Sequence, residues 1–286
     1  MERGKLTDNY WDFFLNTSLG LDDPGSVFIL LFLFLARMLP IIALSPFFGA
    51  RVLPHPVKLA FAISLFAIFV PHLLVVTQSQ LSFNPLSIAL FAKELFIGYL
   101  IGFLISIPFT IVQTAGMLID HQRGGASLMV NDPTIQNQSS PLGTMFNMVL
   151  IYIFFLIDGP FYFIDAMNTS YSAIPPDRFF NPNFFHKESA FSEMMYQLLN
   201  SAMVLAIQFA SPALIAILMT DVFLGIANRL ATQVQITFLG LPLKSLLGLT
   251  LITIGWKVLV KQMAEESYTW MNAIDRVLII FDVGRQ

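Results

Sequence analysis

Six apolar stretches dominate residues 27–260, and five of the six contain proline. Apolar runs of about 20 residues can cross a ~30 Å hydrocarbon core only as helices, because no other open segment satisfies its own backbone in lipid. Proline inside a helix removes a hydrogen bond and kinks or breaks it. The chain is therefore predicted to be all-α, built of kinked helical hairpins associated with a membrane. The 12% of charged residues, against about 25% in an average soluble domain, and the mean hydropathy of +0.72 agree with that class.

The stretches run in order as Val27–Gly49, Val57–Val76, Leu86–Val112, Met145–Ile157, Met194–Leu224 and Phe238–Val260. The first is long enough, at roughly 34 Å as a helix, to span. It follows the breaker Asp22-Asp23-Pro24-Gly25, with Ser26 as N-cap, and holds Arg37, Pro40 and Pro46. An unpaired arginine facing lipid is costly, so Arg37 is expected to face protein or to snorkel. The second stretch is expected to break at Pro71-His72. The third carries Lys93-Glu94 and then Gly98 and Gly102, a GxxxG stripe that lets another helix approach closely. Pro108 is expected to bend it. The fourth extends weakly through Phe161–Ile164. In the fifth, Ala202, Ala206 and Ala210 form a second packing stripe, and Pro212 predicts a kink.

Residues 1–26 read as a polar lead-in. They carry Glu2, Asp8, Asp12, Asp22 and Asp23 and no apolar core ahead of a small-residue cleavage site, so they are not expected to be a secretory signal. Asn168 to Glu193 is polar, with Pro175-Pro176 and Pro182, and reads as the main internal boundary. The expected parts are 1–26, then 27–190, then 191–286 as a two-helix hairpin and mixed-charge tail. The loop cations do not orient a plain six-helix protein. Arg51, Lys58, Arg123, Arg229 and Lys244 fall on one side, and both termini place more on the other. Kinked hairpins inside an assembly would account for this.

The polar interruption Thr114–Ser140 stands out among the apolar runs. It holds Gly116, Asp120, His121, Gln122, Arg123, Gly124, Gly125, Ser127, Leu128, Met129, Val130 and the turn Asn131-Asp132-Pro133. A loop of this length at membrane depth must be buried in protein or line a wet path. Small, flexible backbone followed by Leu128-Met129-Val130 suits a tip that closes a pore and moves aside, since methionine fills irregular gaps. An ordinary surface loop has the same composition, and that reading stays open.

Chemistry is sparse. There is no P-loop, dinucleotide fingerprint or nucleophile elbow, and the four histidines lack metal-ligand spacing. Without cysteines there are no thiolate sites. No enzyme activity, cofactor or metal is expected. The net charge of −3 points away from nucleic acid. Lys93 and Glu94 suit either an ion path or a structural pair near a helix end. Being adjacent, they need not pair with each other. Asp120, Asp158 and Asp221 follow apolar runs and are expected to cap or to be solvated. A stand-alone ion or solute transporter using Lys93, Glu94 and Asp120 is the alternative function, though the internal repeat expected of many transporters is not visible. A purely structural scaffold is a third.

Three stretches carry a resemblance. They are Pro46-Phe47-Phe48-Gly49-Ala50-Arg51-Val52-Leu53-Pro54 with Val57-Lys58-Leu59-Ala60; then Gly116, Asp120, Gln122, Gly124, Asp132-Pro133 and Pro141; then Asn228-Arg229-Leu230-Ala231 through Gly240-Leu241-Pro242-Leu243. From about Phe28 to Val260 the chain resembles the FliR/SctT family of flagellar and type III secretion export-gate proteins. The resemblance implies a multi-pass subunit of a helical export gate in the bacterial inner membrane, within the secretion system base. It implies as partners the gate subunits of two related families, further export-apparatus membrane proteins, membrane lipid, and unfolded secreted proteins in transit. It also implies that the loop at 114–140 plugs the closed pore, with Gly124 to Val130 nearest the centre. His121, Arg123 and the polar Asn137–Ser140 depart from the more apolar run expected there.

Overall fold

The structure, a computed structural model, describes residues 24–48, 53–77, 81, 84–124, 130–131, 138–179, 190–230 and 236–283. Among these are eight α-helices: α1 Pro24–Leu44, α2 His55–Val76, α3 Pro85–Gln122, α4 Pro141–Leu156, α5 Gly159–Ala173, α6 Ala190–Leu230, α7 Ile236–Ile254 and α8 Trp256–Val283. A two-residue antiparallel pair, β1 Val130–Asn131 with β2 Gln138–Ser139, lies between α3 and α4. The chain is an all-α, multi-pass membrane protein. Four helices are long and apolar enough to cross a bilayer: α1 from Gly25, α2, α3, and α6 from Ser192. The successive pairs α4–α5 and α7–α8 qualify only if each bent pair counts as one span.

The helix break expected at Pro71-His72 does not occur. Pro40, Pro71, Pro108, Pro212 and Pro242 all lie inside helices that continue past them. In a membrane the competing open-chain state leaves more backbone unsatisfied than one lost bond does, so the helix survives. Of the prolines inside the six apolar stretches, only Pro46 follows a helix end, opening the 3-10 turn Pro46–Phe48. α3 runs well beyond the expected stop at Val112. Residues 257–286, read as a tail, are mostly α8. The actual break before α8 is at Gly255, where the helix axes bend by 65°.

By its internal contacts the chain forms two compact units. One takes residues up to 106 together with 161–194 and the part of α8 from 271; the other takes 107–160 and 195–270. In the first, α1 and α3 run parallel in close contact. A Cβ placed on Gly98 would fall onto the Arg37 carbonyl, and one on Gly102 would meet Ile41 Cα at 3.0 Å. Advancing four residues on one helix advances four on the other. Phe34 fills the space beside this seam, stacked on Tyr171 with ring centroids 5.7 Å apart and tilted against Phe66 and Phe69. Phe47 and Phe48 both pack edge-on against Phe163 of α5.

In the second unit α3 and α4 meet backbone to backbone, where a Cβ on Gly116 would lie 2.5 Å from the Gly143 nitrogen. Phe109 packs on Phe154 and Phe146 on Trp256. Ala206 and Ala210 of α6 are buried and Ala202 is half-buried; Ala213 and Ile217 continue the buried stripe. Asp158 sits at φ 59°, between α4 and α5. A short polar residue is among the few that tolerate this left-handed turn.

The glycine stripe yields a test. Gly98→Ala drives a methyl into backbone that cannot move aside, an overpacking cost of about 1–3 kcal/mol. At Gly102 the neighbours include the pliable end of Leu44, and about 1 kcal/mol of gained helix propensity offsets the crowding. Thermal melts of the purified protein in detergent are expected to show a clear loss for Gly98→Ala and little change for Gly102→Ala.

Candidate functional site

The polar stretch Thr114–Ser140 is not a loop from its start. Thr114 to Gln122 are the last turns of α3, held helical by burial of Ala115 and Ile119 one turn apart and by the Gly116–Gly143 contact. Gly116 therefore serves helix packing, and Gln122 is the exposed last residue of the helix. The connection proper begins at Arg123.

Its base is organised by Asp120, which is completely buried. One carboxylate oxygen accepts from Arg123 Nε and Nη2, each at 2.7 Å. The other accepts from the Ser140 hydroxyl and, at 2.9 Å, from the Leu142 backbone N–H. Ser140 Oγ in turn accepts from the Gly143 N–H at 2.9 Å. Asp120 and Ser140 thus satisfy two of the unpaired N–H groups that open α4, where a negative charge is also favoured by the helix dipole. Capping was the expected role for Asp120, but the helix it caps is the next one, reached across the loop. Two groups face α7. Arg123 Nη1 donates to Ser245 Oγ at 3.2 Å, and Gly124, at φ +86°, lies against Leu241. On its other side α7 is tied to α6 by the Lys244–Asp221 ion pair. Val130–Asn131 pairs with Gln138–Ser139, so the returning strand starts close to Ser140. The expected tip residues Gly125, Ser127, Leu128, Met129, Asp132 and Pro133 lie outside the described residues.

The second polar centre is in the other unit. Arg37, Lys93 and Glu94 are buried together. The parallel seam makes this possible. Glu94 is one turn before Gly98, and Gly98 touches the backbone of Arg37, so the carboxylate meets the guanidinium at once. Arg37 donates from Nε at 2.5 Å and Nη2 at 2.8 Å to the two Glu94 oxygens, a bidentate pair. It also donates to Ser170 Oγ at 2.9 Å and to the Ile174 carbonyl at 2.8 Å, and lies 4.1 Å from the Tyr171 ring centroid. Lys93 Nζ reaches Glu94 at 2.7 Å and donates to the carbonyls of Pro175, Pro176 and Arg178 at 2.8, 3.1 and 2.8 Å.

Arg37 and Lys93 both meet the Glu94 carboxylate, the charge of Asp177 also acts on Lys93, and the lysine rests further on carbonyls just past the C-terminal end of α5, the negative end of its dipole. Lys93 and Glu94 do pair, because the lysine stem is long enough to fold back onto its neighbour. Arg37 faces protein, as expected. Sequence reasoning missed Ser170, Tyr171, Ile174 and the Pro175–Arg178 turn, which it assigned to a polar linker. The available signal was the count: two cations and one acid in apolar helices need further acceptors, and Pro175-Pro176 marks a turn with free carbonyls.

Among the described residues no three His, Asp or Glu side chains gather to hold a metal ion. Removing one partner from a buried ion pair strands the others, at about 3–5 kcal/mol. Glu94→Gln is therefore expected to collapse the detergent melting transition. Replacing Arg37 by Met and Glu94 by Leu together is expected to cost less than Glu94→Gln alone, which a double-mutant cycle measures.

Comparison with known proteins places the chain. The model of "Bacterial export proteins, family 1" matches residues 28–269. The secretion system apparatus protein SsaT of Salmonella typhimurium is 33% identical over 59% of this chain and 63% of its own length. The Yop proteins translocation protein T of Yersinia pestis is 28% identical over 68% of this chain and 72% of its own. The flagellar biosynthetic protein FliR of Escherichia coli is 27% identical over 76% of this chain and 80% of its own. With its match extending over most of its length and through both polar centres, the chain belongs to the bacterial export proteins of family 1, the family of FliR and its type III secretion counterparts.

Proposed function

We propose that the chain is a non-enzymatic subunit of a bacterial type III secretion or flagellar export gate in the inner membrane, and that its 123–140 loop seals the protein-conducting channel at rest. Its partners in this reading are gate subunits of the two related families, other membrane proteins of the export apparatus, and unfolded substrates in transit.

The observation that carries the assembly is helix length. α6 has 41 residues, about 62 Å. Exposed apolar side chains recur along it from Tyr196 to Leu230, about 51 Å of helix. Even at a tilt of ~40°, a ~30 Å core covers only about 39 Å. The remainder needs a protein surface over it, which a hetero-oligomer supplies. The buried Asp120 clamp supports the plug. It closes the two ends of the loop onto rigid helix termini, so the loop can project without its base unravelling. The transporter alternative draws no such support. Glu94 is wholly buried, and its partners are cations of this same chain.

Deletion of residues 124–130 is expected to leave the gate assembled but leaky to small ions, read as conductance or dye entry in cells at rest. A deletion that assembles and stays tight removes the plug. Native mass spectrometry of the extracted complex is expected to find the chain in a hetero-oligomer; a stable monomer that ignores the partner subunits would remove the gate reading itself.

A further inference from the structure

Gly225 lies inside α6, on its exposed side. Glycine weakens a helix relative to alanine, so one kept in mid-helix calls for a contact that needs the room. Two glycines on α7 make such contacts within the chain. A Cβ on Gly240 would meet Leu224 at 3.3 Å, and one on Gly248 would meet Ile217 at 3.2 Å. A Cβ on Gly225 would meet no atom within 4 Å among the described residues. By helical spacing Leu218, Asp221, Val222 and Arg229 share its face. Leu218 and Val222 are more than half exposed. Asp221 pairs with Lys244 of α7, while Arg229 is exposed and pairs with no acid among the described residues. Lipid suits the apolar side chains and rejects the charges. Water suits the charges and rejects the apolar side chains, along with Phe223, Ile226 and Leu230 of the same turns. A protein surface with an apolar centre and a charged edge accommodates both.

We infer that the last turns of α6, centred on Gly225, are a docking surface for an apolar helix of a neighbouring gate subunit, packed with its backbone against Gly225 and carrying a carboxylate that meets Arg229. This docking rests on the proposed hetero-oligomeric gate and places one neighbour on the chain. With no side chain at 225, two helices can approach to the short end of the usual 8–10 Å interaxial range, and Leu218 and Val222 flank the contact. Arginine suits its charged edge, because a guanidinium takes a carboxylate through two parallel hydrogen bonds and so gives direction as well as attraction.

The test uses the chain purified alone in detergent and the gate extracted from membranes. Gly225→Ala gains helix propensity in open space, so the melting temperature of the chain alone is expected to hold or rise. In the gate the same methyl overpacks the contact and shifts the association equilibrium on the order of ten-fold. Native mass spectrometry is expected to show recovery of the hetero-oligomer falling by that order for Gly225→Ala, further for Gly225→Leu and Arg229→Glu, and less for Arg229→Lys. The chain has no cysteine of its own, so a single Val222→Cys reports the neighbour by crosslinking in membranes. An adduct with a different subunit is expected. An adduct with a second copy of this chain, or labelling from the lipid phase with no protein adduct, overturns the docking. If Gly225→Leu assembles as the unaltered chain does, the docking is overturned and the gate reading stands. If Gly225→Ala lowers the melting temperature of the chain alone, the glycine serves the fold and the docking is likewise overturned. If the unaltered chain enters no hetero-oligomer, the gate reading falls and the docking with it.

Discussion

The parallel contact of α1 with α3 is the constraint on which the first unit depends. Gly98 lets the two backbones touch at Arg37, and that approach places Glu94 within bidentate reach of the guanidinium. Neither half works alone. A larger residue at 98 would hold the helices apart, and a buried arginine without its acid would be too costly to keep in an apolar helix. The contact also dictates the third partner. Glu94 does not use every donor of Arg37 and Lys93, and the C-terminal turn of α5 closes over them with its carbonyls and Ser170.

The second unit repeats the device at the end of α3. There a buried acid, Asp120, takes an arginine from its own helix end and the N-terminal donors of α4. Both centres use helix termini, where backbone groups lack internal partners, as the counterpart of a buried side-chain charge. The same chemistry is thus used once to close a bundle and once to fasten a loop. Lipid gives no hydrophobic drive for helices to associate, so small-residue contacts and such polar locks carry the specificity.

An export gate asks for a frame that holds its shape and one segment that can move. The frame here is over-determined: every cation of the first centre has several acceptors. The loop base is fastened to the start of α4 through Asp120 and to α7 through Arg123. That fastening, rather than any reactive group, is where the chain's chemistry meets its proposed work.

The class and approximate spans were legible in the sequence because twenty apolar residues in lipid have one satisfactory backbone conformation. The close approach at Gly98 and Gly102 was legible because only small residues permit it. The family was legible in the order of its motifs. The helix ends were not. Proline at 71 reads as a break, and only the membrane's penalty on open backbone decides otherwise. The partners of Lys93 were equally hidden, since three of its acceptors are main-chain carbonyls more than 80 residues away, which carry no signature of residue type. Sequence alone determined that charges at 37, 93, 94 and 120 must be satisfied by protein, by the membrane interface or by water. Tertiary structure decided by what, because a helix terminus can serve any charge that the fold brings to it.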